Sequence, residues 1–312
     1  QVLFLRGGVQ VGAVTVGSLP DMVAFRPNGK LLAVANEGEP NSYGLADSVD
    51  PEGSVSIITT APFRAPGAEG PSGSPQPVET IRFTDFDAGG LRARELPAGV
   101  RIFGPGASVA QDLEPEYITV AGDNRTAWVS LQENNALARL DLRSKTVDRI
   151  IDLGYADHSQ PGHGLDASDQ DGAISIANWP ARGLYLPDGI ANYSVDGTRF
   201  VLTANEGDAR DWPGISSNGE EARRARGVAD LTLFPDAADN ARLGRLNVTP
   251  FAPATTSGGK LTTLYSFGSR SFSIRTEGGE LVWDSGDDFE CLTALVHPAY
   301  FNASYTNNTF DN

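Results

Sequence analysis

The phrase Ala-Asn-Glu-Gly followed by an acid occurs twice in this chain, as Ala35-Asn36-Glu37-Gly38-Glu39 and as Ala204-Asn205-Glu206-Gly207-Asp208. Each copy closes a longer unit. The first runs from Pro20-Asp21-Met22-Val23 through Asn28-Gly29 to Leu31-Leu32-Ala33-Val34, and the second from Pro187-Asp188-Gly189-Ile190 through Asp196-Gly197 to Phe200-Val201-Leu202-Thr203. A more divergent copy begins at Pro115-Glu116-Tyr117-Ile118, turns at Asp123-Asn124, and ends at Leu131-Gln132-Glu133-Asn134-Asn135. Internal repetition constrains architecture before any single residue does.

Within each unit, two β-rich runs flank a turn pair that reaches positive φ at little cost, which is the signature of a hairpin. A third strand follows at Gly53 to Ile58 and at Ala136 to Asp141, and a fourth can be drawn from Val147 to Leu153. Four short antiparallel strands, repeated, describe the blade of a β-propeller. The alternative is a β-sandwich whose strands resemble one another by chance. Shared turn and acid positions favour the propeller, and 35 Gly with 20 Pro suit an all-β chain dense in turns. Blades are expected at roughly 20–85, 114–153, 187–265 and 268–312, with residues 1–19 belonging to a preceding blade.

In a propeller, the first strand of every blade lines the central channel. Asp21, Glu116 and Asp188 therefore take matching positions at the starts of inner strands, and Glu37, Glu133 and Glu206 match at the ends of second strands. Carboxylates gathered at one rim repel one another unless a cation sits among them, and hard oxygen ligands suit Ca²⁺ or Mg²⁺. Solvated turn carboxylates are the plain alternative in so acidic a chain. Asp166-Ala167-Ser168-Asp169-Gln170-Asp171-Gly172 resembles a Ca²⁺ loop but departs from it, since the closing position is Asn178. A tight Asp-rich turn is the alternative there, and Asp284 to Glu290 is a second oxygen-rich stretch of the same ambiguity.

The formal charge of −16 makes nucleic acid and anionic membrane surfaces poor partners. No apolar run approaches the ~18–20 residues of a membrane span. The single Cys291 excludes an internal disulfide framework and is expected in a core strand. His158, His163 and His297 are too scattered for a zinc site, and the two in one Gly-rich loop are expected to be solvated. Trp128, Trp179, Trp212 and Trp283 are expected to pack between blades, with a ligand-facing position as the alternative for Trp179 and Trp212, which lie near loops. Sequons stand at Asn124, Asn192, Asn247, Asn302 and Asn307. Gln1 opens inside an expected strand, with no leader before it. Residues 59 to 80 read as a surface loop, Glu220 to Arg224 as part of a short helix, and 235 to 260 as irregular.

Taken together, several phrases resemble the choice-of-anchor I family of secreted β-propellers. They are Leu19 to Val23, Ala35 to Pro40, Asp50 to Val55, Ala107 to Tyr117, Leu131 to Leu137, Leu165 to Asp169, Thr203 to Arg210, Arg270 to Ile274 and Asp284 to Gly286. That family is similar to mesenchyme-specific cell-surface glycoproteins and to bacterial proteins labelled alkaline phosphatase. The resemblance implies a secreted, periplasmic or cell-surface location and about seven blades. The ring is accordingly expected to be incomplete here, either because the sequence is cut at both ends or because other segments or a protein partner finish it.

Phosphoester hydrolysis would need metal ions and cations to hold the phosphoryl oxygens. Asp21, Glu37, Glu39, Glu114, Glu116, Glu133, Asp188, Glu206 and Asp208, with Asp166, Asp169 and Asp171, are the candidate metal ligands. Arg210 and Arg270 are the candidate phosphate clamps, with ion pairing to neighbouring carboxylates as their alternative role. Two readings follow. One is a metal-dependent phosphoric monoester hydrolase acting on a phosphorylated small molecule. The other is a non-catalytic propeller that binds Ca²⁺, mineral or another protein through the same rim.

Overall fold

A computed structural model describes residues 1–63 and 78–302, together with the backbone of 304–306 and 309–311. Most of the loop expected at 59–80 and the sequon at Asn307 lie outside the described residues. The chain opens with a hairpin of β1 (Val2–Arg6) and β2 (Val9–Val14). A four-stranded antiparallel sheet follows, built in sequence order from β3 (Pro20–Phe25), β4 (Leu31–Asn36), β5 (Ser54–Thr59) and β6 (Val78–Arg82). A second such sheet holds β7 (Pro115–Val120), β8 (Thr126–Leu131), β9 (Ala136–Asp141) and β10 (Thr146–Asp152). Both are meanders whose turns fall where Gly29 and Asn124 take positive φ.

The third sheet departs from the expected division at 187–265 and 268–312. Its first two strands are β13 (Pro187–Val195) and β14 (Thr198–Asn205), but β14 pairs with β20 (Ser271–Thr276), which pairs with β21 (Leu281–Asp284). The chain leaves this sheet after Asn205 and returns at Ser271. Within that excursion, β15 (Arg223–Arg224), β16 (Asn247–Val248), β17 (Thr256–Ser257), β18 (Lys260–Leu261) and β19 (Tyr265–Ser266) form in turn. Three of them join β11 (Tyr155–Asp157) and β12 (Arg182–Leu184) in a five-stranded sheet of order β11-β12-β19-β16-β15. The short helix expected within residues 208–228 forms at its end, after the charged run Glu220 to Arg224 rather than over it. Buried Glu221 pairs with Arg101, Arg223–Arg224 extends as β15, and the single helical turn is Ala225–Val228.

In the first two sheets both faces of the central strands are buried, and the period of two assigns each face its own core. In β4, Ala33 and Ala35 face the core shared with the second sheet, while Leu32 and Val34 face the opening hairpin and Phe63. In β8, Ala127, Val129 and Leu131 pack toward the first sheet, while Trp128 packs toward the third with Leu137, Ile190 and Val201. Sheet lies on sheet through interdigitated apolar faces, with β7 packed directly against both β3 and β13. A separate apolar cluster around Trp179, Phe234 and Leu243 holds the excursion.

Of the four tryptophans, Trp128 lies wholly buried between sheets and Trp179 fills the excursion's core. Trp212 is half-buried, and Trp283 is exposed on the edge strand β21. Cys291 is exposed on a helix, Asp288–Val296, rather than buried in a strand. The run Phe289-Glu290-Cys291-Leu292 lacks the β-branched residues that would favour an extended backbone.

Candidate functional site: an acidic centre shared by three sheets

The repeat dictates one local distortion three times. The ladder between first and second strands slips after each proline, between Pro20 and Val23, between Pro115 and Ile118, and between Pro187 and Ile190. Proline donates no hydrogen bond to the ladder, so the irregularity falls there, and a bulge re-aims the residue it contains. That residue is the acid in every copy: Asp21, Glu116, Asp188. In the first and third sheets, the residue before the proline is a left-handed leucine, Leu19 at φ 46° and Leu186 at φ 43°. Such a backbone persists in a bulky residue only where surrounding contacts over-determine it. Here the Leu19 carbonyl accepts from Glu37 N (2.9 Å) and the Leu186 carbonyl from Gly207 N (3.2 Å), tying each inner strand to its acidic phrase.

The asparagine of the repeated phrase braces its sheet. Asn36 is buried, and its Nδ2 donates to Ser54 Oγ (3.2 Å) and Ser56 Oγ (3.1 Å) on the next strand. Asn205 Nδ2 donates in the same way to Ser271 Oγ (2.9 Å) and Ser273 Oγ (2.8 Å). The paired Ser-x-Ser sequences were the unread signal that β20 is the third strand of the third sheet.

The acids act on one another across sheets. Glu116 is pushed up to about 11 by burial, then by the charges of Glu133, Asp188, Glu37 and Asp21. Glu37 rises to about 8 through burial and the charges of Glu39, Asp21 and Glu133, and its carboxyl hydrogen-bonds that of Glu39. Glu133 rises to about 7 because it is buried, with Arg210 opposing the shift and Asp208 and Glu39 adding to it. Burial followed by Asp208 raises Glu39, and burial followed by Glu206 raises Asp188. Glu206 accepts a hydrogen bond from Gln132 Nε2 (3.0 Å). The expected rim acids thus share one electrostatic centre. Three of their buried oxygens, Glu114 Oε1, Glu116 Oε2 and Glu133 Oε2, have no hydrogen-bond partner among the described residues. No group of three or more described His, Cys, Asp or Glu side chains is arranged as it stands to hold a metal ion.

Arg210 sits beneath this centre and is buried. It donates to Asp112 Oδ1 (2.6 Å), the Asp112 carbonyl (2.7 Å) and Glu114 Oε2 (3.1 Å), so each of its three nitrogens is engaged. Its guanidinium covers one side of Phe103 at 4.5 Å, and Arg101 stacks on the same ring at 4.3 Å. Arg101 is itself wholly buried, paired with Glu221 and donating to the Glu133 carbonyl (2.7 Å). The geometry gives Arg210 the ion-pair role rather than that of a phosphate clamp. Asp112, Arg101 and Phe103 went unread in sequence because their partners lie roughly a hundred residues away along the chain.

Other candidates lie elsewhere. Arg270 pairs with Glu290 and donates to Asn302 Oδ1 (2.9 Å), away from the acid ring. In the supposed Ca²⁺ loop, Asp166 accepts from Ser168 N (3.3 Å) and Ser175 N (3.0 Å). Asp169 is held by Arg245 (2.7 Å), and Asp171 accepts from Ala173 N (3.1 Å). These carboxylates close turns and an ion pair instead of converging. Asp284 accepts from Ser271 Oγ (2.9 Å) and Ser273 Oγ (2.5 Å), and Asp287 from Gly164 N (2.8 Å). His158 is buried rather than solvated. Its Nδ1 donates to the His163 carbonyl (2.8 Å), and burial holds its pKa below the usual imidazole range.

Four-stranded antiparallel sheets packed face to face about a common acidic centre define an all-β, propeller-like protein. The chain belongs to the choice-of-anchor I family, whose domain model matches residues 5–312. Membership places it with exported or cell-surface proteins, and no helix among the described residues is long and apolar enough to cross a membrane. The solved structure of Kuenenia stuttgartiensis hydrazine synthase is similar at 16% identity over 90% of this chain, with a TM-score of 0.29. This chain spans about half (52%) of that one, and a likeness at this score carries no further argument. No curated protein matches the chain in sequence. These comparisons lend no support to an alkaline-phosphatase-like relationship.

Proposed function

We propose that this cell-surface propeller takes up a divalent cation, Ca²⁺ in first place and Mg²⁺ in second, in the acidic centre. The proposal rests on the orphaned oxygens of Glu114, Glu116 and Glu133. A buried polar atom without a partner is costly, and a carboxylate oxygen facing other carboxylates is doubly so. A doubly charged ion would offset both penalties, with Glu116, Glu133 and Glu37 as its first ligands and Asp21 and Asp188 beside them. The side chains as they stand do not form a cage, so uptake has to draw the carboxylates inward. The ion would supply a fixed positive centre on which anionic groups of a surface, mineral or protein ligand could dock.

Binding is favoured over phosphoester hydrolysis because Arg210, the better placed of the two candidate clamps, is engaged by Asp112 and Glu114. The deciding experiment is hydrolysis of p-nitrophenyl phosphate by intact protein in EDTA, in Ca²⁺ and in Mg²⁺. No turnover in any of the three, with a Ca²⁺-dependent rise in melting temperature, is the expected result. Turnover that disappears in EDTA would overturn the non-catalytic reading, and a melting temperature indifferent to the ion would overturn the cation site.

A further inference from the structure

The loop that carries Asp208 also walls a second space. A cavity of about 440 Å³ lies between that loop, the five-stranded sheet and the turn entering β20. Its walls carry Arg224, Arg245 and Arg270 against the carboxylates Asp166, Asp169, Asp208 and Asp211, so formal charge nearly cancels. Asp169 holds Arg245 bidentately (2.8 and 2.7 Å). Arg224 has no carboxylate partner among the described residues and donates through Nη1 to the Arg245 carbonyl (2.5 Å). Arg270 uses Nη1 on Glu290 and Asn302, which leaves Nε and Nη2 without a described partner. Among the described residues, the side chains of Asp211 and Asn247 make no hydrogen bond. Phe267 supplies one aromatic surface, and His158 lines the same cavity.

The wall is held rigidly. A Cβ on Gly207 would lie 2.1 Å from Gly268 N, and one on Gly268 would lie 2.1 Å from the Glu206 carbonyl oxygen. Two backbone segments therefore meet where side chains cannot intervene. Two residues on, Arg270 adopts φ 52°, a left-handed conformation that is uncommon for a long side chain and recurs at binding sites.

The chemistry of the lining selects among ligand classes. Unpaired guanidinium N–H groups and unpaired carboxylate and amide oxygens stand together in a space that Leu165, Leu246 and Phe267 also line. A phosphate would meet Asp208 and Asp211 as like charges, and an apolar molecule would leave the polar groups desolvated without partners. A hydroxyl both donates and accepts, so a polyhydroxylated ligand satisfies both kinds of group at once. Phe267 can cover the C–H face of a sugar ring. The volume falls in the range usual for small-molecule sites, which is ample for one or two rings.

We propose that this cavity is a binding site for a neutral saccharide, with Arg224, Arg270, Asp211 and Asn247 as its hydrogen-bonding set. The site is independent of cation uptake in the acidic centre. The test is saturation-transfer NMR on the full chain in EDTA, using glucose, galactose, N-acetylglucosamine and maltose as probes, with inorganic phosphate and glucuronate as charged comparators. At least one neutral sugar is expected to bind. Arg224→Ala and Asp211→Asn, both at exposed positions, are each expected to weaken that binding about tenfold. Glu116→Gln is expected to leave it unchanged. Absence of binding by every neutral probe would overturn the proposal, as would binding confined to phosphate and glucuronate. Saccharide binding that survives both substitutions would also overturn it.

Discussion

Replacing Arg210 by methionine removes a buried guanidinium while keeping much of its volume. Three contacts of 2.6 to 3.1 Å to Asp112 and Glu114 disappear together, along with the stack on Phe103. Two carboxyl groups remain buried with no counter-charge. Breaking a buried ion pair from one side costs roughly 3–5 kcal/mol, because the surviving charge stays desolvated. At about 2 °C per kcal/mol, the lower end of the usual range and suited to a chain this long, the melting temperature should fall by roughly 6–10 °C. Burial already raises the folded-state pKa of Glu114 above its unfolded value, and loss of the opposing Arg210 charge raises it further. Its contribution is favourable when protonated and is lost as pH rises, so the deficit should shrink on acidification. Adding Asp112→Asn and Glu114→Gln to the variant should recover a substantial part of the loss. The assay is scanning calorimetry of the four proteins at neutral and mildly acidic pH. A deficit under about 1 kcal/mol, the range of an exposed pair, would show that Arg210 faces solvent and would return it to the candidate phosphate clamps.

Three further outcomes follow from the same geometry. Glu116, whose pKa is pushed up to about 11, stays protonated in the fold at neutral pH while its unfolded counterpart ionises, so stability without divalent ions should decline as pH rises above about 4.5. Glu116→Gln should flatten that decline and stabilise the ion-free protein at pH 7 by on the order of 1 kcal/mol, allowing for solvent screening, as read from urea unfolding. Asn36→Ala or Asn205→Ala should each cost about 1–3 kcal/mol in the same measurement, since two buried serines lose their cross-strand donor. Gly207→Ala combines a φ of 98° with a Cβ 2.1 Å from Gly268 N and should destabilise by roughly 1–3 kcal/mol or prevent folding, visible as lost near-ultraviolet dichroism.

The hairpins and the acidic positions were legible because both are local. Asn28-Gly29 dictates a turn wherever it stands, and the acid after proline occurs three times at one offset. The bulge that gathers Asp21, Glu116 and Asp188 follows from a chemistry written in the sequence, the missing donor of proline. What stayed hidden depends on distant segments. After Asn205 the chain departs for 65 residues before Ser271 completes the sheet, and contiguity suggested a blade ending at 265. An ion pair for Arg210 was open from the sequence, but its partners were not legible, because Asp112 and Glu114 lie 98 and 96 positions away rather than beside it. His158 lies in a loop rich in glycine and polar residues that reads as exposed, yet Gly183 approaches so closely that a Cβ there would stand 2.5 Å from its Nε2. The Asp166 loop carried a ligand-like spacing, but Arg245 and backbone amides from its own turn take up its carboxylates.

The most direct test of the acidic centre is isothermal titration of EDTA-stripped protein with CaCl₂ at pH 7, run in two buffers of different ionisation enthalpy. Glu116 at about 11 and Glu37 at about 8 hold protons at that pH, and a cation must displace them. Saturable binding is expected, with net proton release that shrinks in Glu116→Gln and affinity that is lost in the Glu116→Gln, Glu133→Gln double variant. A heat of binding with no buffer dependence, or Ca²⁺ affinity unchanged in the double variant, would contradict the account.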